Sequence, residues 1–163
     1  MADVISNTSP LQYLHQIRQL DLLPALCGSV IVPSAVVDEL LVGRRAGVDL
    51  PDPTNLKWAV IRTPASAPVL PLVSDLGLGE AEVLALALEI PGSTALLDDG
   101  LARKVAHARG IIVVGTLGLL VRAKAKKLVE RVGPLMDQLQ ARGFRLDPAT
   151  RAVILDLAGE ARK

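Results

Sequence analysis

The feature that most restricts the fold of this chain is a series of short apolar runs, each closed by a polar, glycine or proline break and followed by a helix-like stretch. Val4–Ser6, Val30-Ile31-Val32, Thr94–Leu97 and Ile111–Val114 are short continuous apolar segments, the form taken by strands covered on both faces of a parallel sheet. Trp58–Arg62 is a possible fifth strand. After the first run, Asn7-Thr8-Ser9-Pro10 supplies a capping hydroxyl and a proline for the first turn of a helix. Leu11, Leu14, Ile17 and Leu20-Asp21-Leu22-Leu23 then fit one or two short amphipathic helices.

Pro33-Ser34 opens another helix running to about Leu41, and Gly43 to Pro53 reads as a loop. Pro64, Pro68 and Pro71 exclude a regular helix or central strand over Thr63–Ser74. Gly77 and Gly79 precede a clear helix over Glu80–Ile90. A helix from about Leu101 ends at Gly110, a good C-terminal cap. Gly115-Thr116 opens a basic helix reaching about Lys127, and helices near Pro134–Arg142 and Thr150–Ala158 finish the chain. Strand and helix alternate almost throughout. The pattern predicts a three-layer α/β/α sandwich with a four- to five-stranded, mainly parallel sheet. Ligands in such folds bind beyond the carboxyl ends of the strands.

Composition narrows the function classes. Cys27 is the single cysteine, which excludes an internal disulfide framework and a thiolate zinc cluster, and with His15 and His107 the only histidines the composition argues against a multi-histidine metal site and for oxygen ligands. Half the residues are hydrophobic, which excludes disorder, yet only Tyr13, Trp58 and Phe144 are aromatic. No apolar run reaches the roughly 20 residues of a membrane span, and MADVISNTSP lacks the features of a signal peptide. The chain reads as cytoplasmic.

A net charge of +1 conceals a segregation. Residues 71–100 hold Asp75, Glu80, Glu82, Glu89, Asp98 and Asp99 with no Lys or Arg. Residues 101–131 hold Arg103, Lys104, Arg109, Arg122, Lys124, Lys126, Lys127 and Arg131 against Glu130 alone. An acidic block beside a basic one can hold divalent cations next to a polyanion, although solvated helix faces can sort in the same way.

The acids fall where ligands would bind. Asn7 ends the first strand, Asp38 and Glu39 lie in the helix after the second, Glu80 and Glu82 open a helix after a glycine break, and Asp98-Asp99 end the fourth strand. Hard cations such as Mg²⁺ and Mn²⁺ take such oxygen ligands and keep several waters. Clustered carboxylates repel one another unless a cation neutralises them. Each acid also has a purely structural explanation: Glu80 and Glu82 suit a helix N-terminus, Asp98-Asp99-Gly100 suits a turn, Glu39 can be solvated and Asn7 can be a cap. The coincidence across four segments favours a shared pocket.

Five landmarks in order, VISNTSPL, VPSAVVDEL, GLGEAEVLALAL, ALLDDGLARKVAHARG and VVGTLGLLVRAK, make the sequence resemble the PIN-domain ribonucleases. The resemblance is strongest to the small branch allied to VapC-type toxins, and it covers roughly residues 3–145. It implies a PIN-like domain over residues 1–145 with a C-terminal helical extension over 146–163. The implied activity is a Mg²⁺- or Mn²⁺-dependent endoribonuclease, the toxin of a type II toxin–antitoxin pair, forming a homodimer and inhibited by a small antitoxin protein. Residue by residue, Asn7 takes the first acidic position, Glu39 the second and Glu80 the third, while Asp98 and Asp99 share the fourth. Thr8, Ser9, Arg103, Arg122 and Lys124 are the candidate RNA contacts. Asn7 departs from the Asp of most active members; an amide oxygen can ligate a metal but brings no charge and cannot act as a base. A PIN-like fold that binds RNA or protein without catalysis is therefore the alternative.

Other motifs carry less. GLGEAE holds two glycines of a dinucleotide fingerprint but ends in Glu82 and sits in mid-chain. Glu82 lies two residues on from Glu80 in the same helix and should point elsewhere. His107 reads as a surface or packing histidine and Cys27 as a small buried hydrophobe. The basic helix Arg122–Arg131 suits phosphate contacts, although it can equally be a solvated helix, and the scarcity of aromatics argues for recognition by backbone and shape rather than base stacking.

Overall fold

Five parallel strands form one sheet in the order β3-β2-β1-β4-β5, with β1 at Val4–Ser6, β2 at Val30–Pro33, β3 at Ala59–Arg62, β4 at Thr94–Leu96 and β5 at Ile112–Val114. The computed structural model describes residues 3–65 and 76–161, so Pro68, Pro71 and Asp75 lie outside the described residues. The helices are α1 (Thr8–Gln16), α2 (Leu22–Cys27), α3 (Ser34–Arg45), α4 (Leu78–Glu89), α5 (Gly100–Ala108), α6 (Thr116–Ala125), α7 (Gly133–Ala141) and α8 (Pro148–Leu157). The central strands β1, β2 and β4 are buried along their whole length, as expected of strands covered on both faces.

The chain runs outward from β1 to β3, returns to the other side of β1 and ends at β5. The strand order therefore reverses between β1 and β4, where Ser6 is in register with Leu96 and the Asn7 N–H donates to the Leu96 carbonyl at 3.1 Å. Crevices at such reversals are the usual ligand sites of open α/β sheets. Aliphatic side chains including Ile5, Leu14, Leu84, Leu96, Leu120 and Met136 fill the interior. Among the described residues no helix is long and apolar enough to cross a membrane.

Several expected boundaries move by one or two residues, α4 starting at Leu78 and α8 at Pro148, and two other shifts reposition basic residues. α3 runs past Leu41 to Arg45 and takes in Gly43, where a Cβ would meet the Leu50 side chain, so the glycine serves close packing and not a helix stop. Arg44 anchors the following loop by donating to the Pro51 carbonyl at 2.7 Å. α6 stops at Ala125 rather than Lys127: Lys127 takes a left-handed φ of 61°, and the Leu128 N–H turns back to the Ala123 carbonyl. Arg122–Arg131 is thus a helix end and a loop rather than one basic helix.

The last helix packs on its own chain, with α8 against α6 and Ile154 and Leu155 on the core. Glu160 locks it there. Its side chain, only 6% exposed, accepts from the Val132 and Gly133 N–H groups at the start of α7 and pairs with Lys124 at 2.9 Å and Arg131 at 3.8 Å. Burial pushes this carboxyl up, but the backbone donors and the Lys124 ammonium outweigh it and hold the group down at about 2.

Candidate active site

The carboxyl edge of the sheet is where several helices begin, and the acids are fastened to those beginnings. Free N–H groups and the positive end of the helix dipole favour carboxylates there. Glu39 lies on α3, yet its carboxylate accepts from the Gly79 N–H of α4 at 3.1 Å and from the Thr8 hydroxyl of α1. It rests directly on Gly79, where a Cβ would stand 2.6 Å from Oε1; the glycine makes room for the acid. The glycine pattern of GLGEAE therefore serves a carboxylate, not a dinucleotide.

Glu80 reaches back to the Gly77 N–H at 3.2 Å, the reciprocal half of a capping box. Its carboxyl is pushed above the ordinary value, first by burial and then by the negative charges of Asp99 and Glu39 and a hydrogen bond with Asp99, against the pull of Gly77. None of the ion pairs among the described residues involves Glu39, Glu80 or Asp99. Glu80 thus lies under the negative charge of two acids from other elements, with no ion pair of its own among the described residues.

Asp98 and Asp99 divide their work. Asp99 caps α5 with Oδ2, which accepts from the Ala102 N–H at 2.9 Å. Asp98 turns to α6, where Oδ1 accepts from the Thr116 N–H at 2.8 Å and Oδ2 from its hydroxyl at 2.7 Å. Burial raises the Asp98 carboxyl, opposed by the Thr116 bonds and the Arg103 charge. Gly115 leaves space for both neighbours, since a Cβ there would stand 2.7 Å from Arg103 Nη1 and 3.0 Å from Asp98 Oδ1.

Asn7 is 5% exposed, and its Oδ1 is buried without a hydrogen-bond partner. An unsatisfied buried acceptor costs about 1–3 kcal/mol and calls for an explanation. Among the described residues, no three His, Cys, Asp or Glu side chains close into a ready-made metal cage. The donor set nevertheless suits a hard cation: oxygen ligands only, an orphaned amide oxygen, and a carboxyl under pressure from two other acids.

The remaining sequence candidates separate. Glu82, on the same helix as Glu80, is buried and accepts from the Ser34 hydroxyl at 3.0 Å and the Ala35 N–H at 2.8 Å, so it caps α3. Thr8 holds Glu39, as above, and Ser9 lines a cavity of about 270 Å³ with Tyr13, Asp98, Asp99 and Arg145. Arg103 donates to the Leu97 carbonyl at 3.3 Å, and Arg122 faces a larger cavity that also reaches Asp98. Lys124 is not brought to this edge, because its ammonium is engaged by Glu160. His107 is exposed and Cys27 half-buried.

Sequence reasoning missed the aromatic pair at the rim. Tyr13 and Phe144, two of the three aromatic residues, meet edge to face with ring centres 5.0 Å apart. They come from opposite ends of the chain, and no local pattern links them. The space-making role of Gly79 had a signal, a glycine inside the first helical turn, where it is otherwise unfavourable.

A family model described as a PIN domain matches residues 3–160. No curated protein and no solved structure gives a significant match.

Proposed function

The chain belongs to the PIN-domain family, whose fold is of the nuclease type, and from that premise we propose that it is a metal-dependent endoribonuclease hydrolysing RNA phosphodiester bonds. Glu39, Glu80 and Asp99, with the Asn7 amide oxygen, would hold Mg²⁺ or Mn²⁺. The single observation that carries this reading is geometric: Glu39 of α3 is seated on the Gly79 N–H beside Glu80 at the start of α4, at the edge of the sheet where the buried Asn7 Oδ1 is left without a partner among the described residues. When bound, the cation supplies polarisation of a phosphoryl oxygen and a lowered pKa for an attacking water.

The protein's own groups set the stage. Thr8 and Gly79 orient Glu39, and Gly77 orients Glu80. Asp99, with one oxygen on Ala102, is favoured over Asp98 as the fourth acid, because both Asp98 oxygens are engaged by Thr116. In this reading Asp98 is a positioning residue that ties β4 to α6. The family resemblance supports the finer role of a cytoplasmic toxin of a type II pair, acting as a homodimer held in check by a small antitoxin.

Asn7 favours a second reading, an RNA- or protein-binding module without catalysis, since the first acidic position carries no charge. Mn²⁺-dependent cleavage of a labelled RNA separates the two. Asp99→Asn and Glu39→Gln should each lower the wild-type rate by about 100-fold or more, the scale at which loss of electrostatic stabilisation is felt. Equal rates in all three proteins would assign the cleavage to a contaminant and overturn the enzymatic reading.

A further inference from the structure

We propose that the groove between α5, α6 and the C-terminal α7–α8 hairpin is a second subsite, one that grips the phosphate and base of single-stranded RNA flanking the cleaved bond. This rests on the nuclease reading of the acidic edge and adds to it the place where substrate is held. The groove encloses about 510 Å³, within the usual range of small-ligand pockets of about 300–1,000 Å³. Three arginines, Arg103, Arg122 and Arg145, face it together with Phe144 and Thr150. Its one acid is Asp98, which Thr116 and Arg103 already compensate.

Three features point to a nucleic-acid strand. Guanidinium groups present forked donors that match phosphate oxygens. The scarcity of aromatics argues against base stacking, but the fold puts one of the three, Phe144, in this groove, where a ring offers a stacking surface that any base can use. Asp98, Phe144 and Arg145 also line the smaller cavity that holds Asp99, so the groove adjoins the cavity of one of the proposed metal-holding acids. A strand laid along it would pass Phe144 and the arginines and run on towards Asp99. The α8 residues Thr150 and Ile154 form the outer wall, which gives the C-terminal hairpin a part in binding. An acidic peptide could satisfy the arginines but would make no use of the ring.

The test is fluorescence anisotropy of a labelled ten-nucleotide RNA on the full chain in EDTA, across a salt series. Wild type should bind, with Arg145→Ala and Arg122→Ala each weakening affinity about five- to ten-fold and lowering the salt slope by about 0.7, the share of one single-strand phosphate. Asp99→Asn should bind at least as tightly as wild type, and thermal melting should confirm that each variant folds. Unchanged RNA affinity in both arginine variants overturns the subsite, whatever the cleavage assay shows. Preference for a poly-glutamate peptide over RNA also overturns it. Arginine-dependent RNA binding in a protein that fails to cleave with Mn²⁺ supports the subsite and rejects the hydrolytic reading instead.

Discussion

Glu160 and Glu80 are both carboxylates received by N–H groups at the start of a helix, and their fates are opposite. Glu160 finds Lys124 and Arg131 beside the start of α7 and stays ionised down to about pH 2. Glu80 finds Gly77, but also Asp99 and Glu39, and its carboxyl is pushed up. Helix starts alone therefore do not decide whether a buried acid is comfortable; the charges around it do. The C-terminal clamp is neutralised from within and serves stability. The acidic edge lacks that relief, which is the arrangement expected where an external cation completes the charge balance.

The largest effect that could break this contrast is on stability. Glu160→Gln should cost about 2–3 kcal/mol, the scale of hydrogen bonds to a charged group, and lower Tm by roughly 4–12 °C. Glu80→Gln should leave Tm within about 2 °C of wild type or raise it, because it removes a repelled charge. Equal losses in thermal melts of the two variants would erase the distinction.

A smaller effect isolates the acidic edge without touching the clamp. Gly79→Ala places a methyl group on the Glu39 carboxylate. Glu39 is exposed and can swing aside, so the melting curve should barely move. Cleavage should fall about ten-fold, equivalent to about 1.4 kcal/mol. A full wild-type rate would mean that the seat on Gly79 is irrelevant to activity.

The smallest effect is the pH dependence, and here the two acids have opposite signs. The depressed carboxyl of Glu160 contributes stability that is present above its unfolded value near 4.5 and lost as pH falls from there towards 2. The raised carboxyl of Glu80 makes the folded state bind its proton more tightly. Stability from that group grows as pH falls through its raised value to about 4.5. Urea midpoints between pH 3 and 7 should show Glu160→Gln flatter below 4.5 and Glu80→Gln flatter above it. Parallel curves for all three proteins would count against both assignments.

Much of the fold was legible because its signals are local. Short apolar runs marked β1, β2, β4 and β5, and Pro10, Gly77 and Gly110 marked helix starts and stops. Among the acids, spacing alone separated Glu82 from Glu80, since residues two apart on a helix face different ways. What escaped depends on contacts between distant segments. Nothing near Glu160 announces that its partners lie 28 and 36 residues away, and nothing near Lys124 shows that Glu160 engages its ammonium. The choice between Asp98 and Asp99 turns on Thr116, 18 residues beyond Asp98. The pairing of Tyr13 with Phe144, and with it the arginine groove, exists only once the chain has closed on itself.

The crossed capping of α3 and α4 has a mechanical consequence. Glu39 of α3 fastens the first turn of α4, and Glu82 of α4 fastens the first turn of α3. The two helices are yoked, each gripping the other's leading end. The turn that carries Glu80 is thereby moored to the helix that carries Glu39, so the separation of the two acids is set by the helix pair and not by either helix alone.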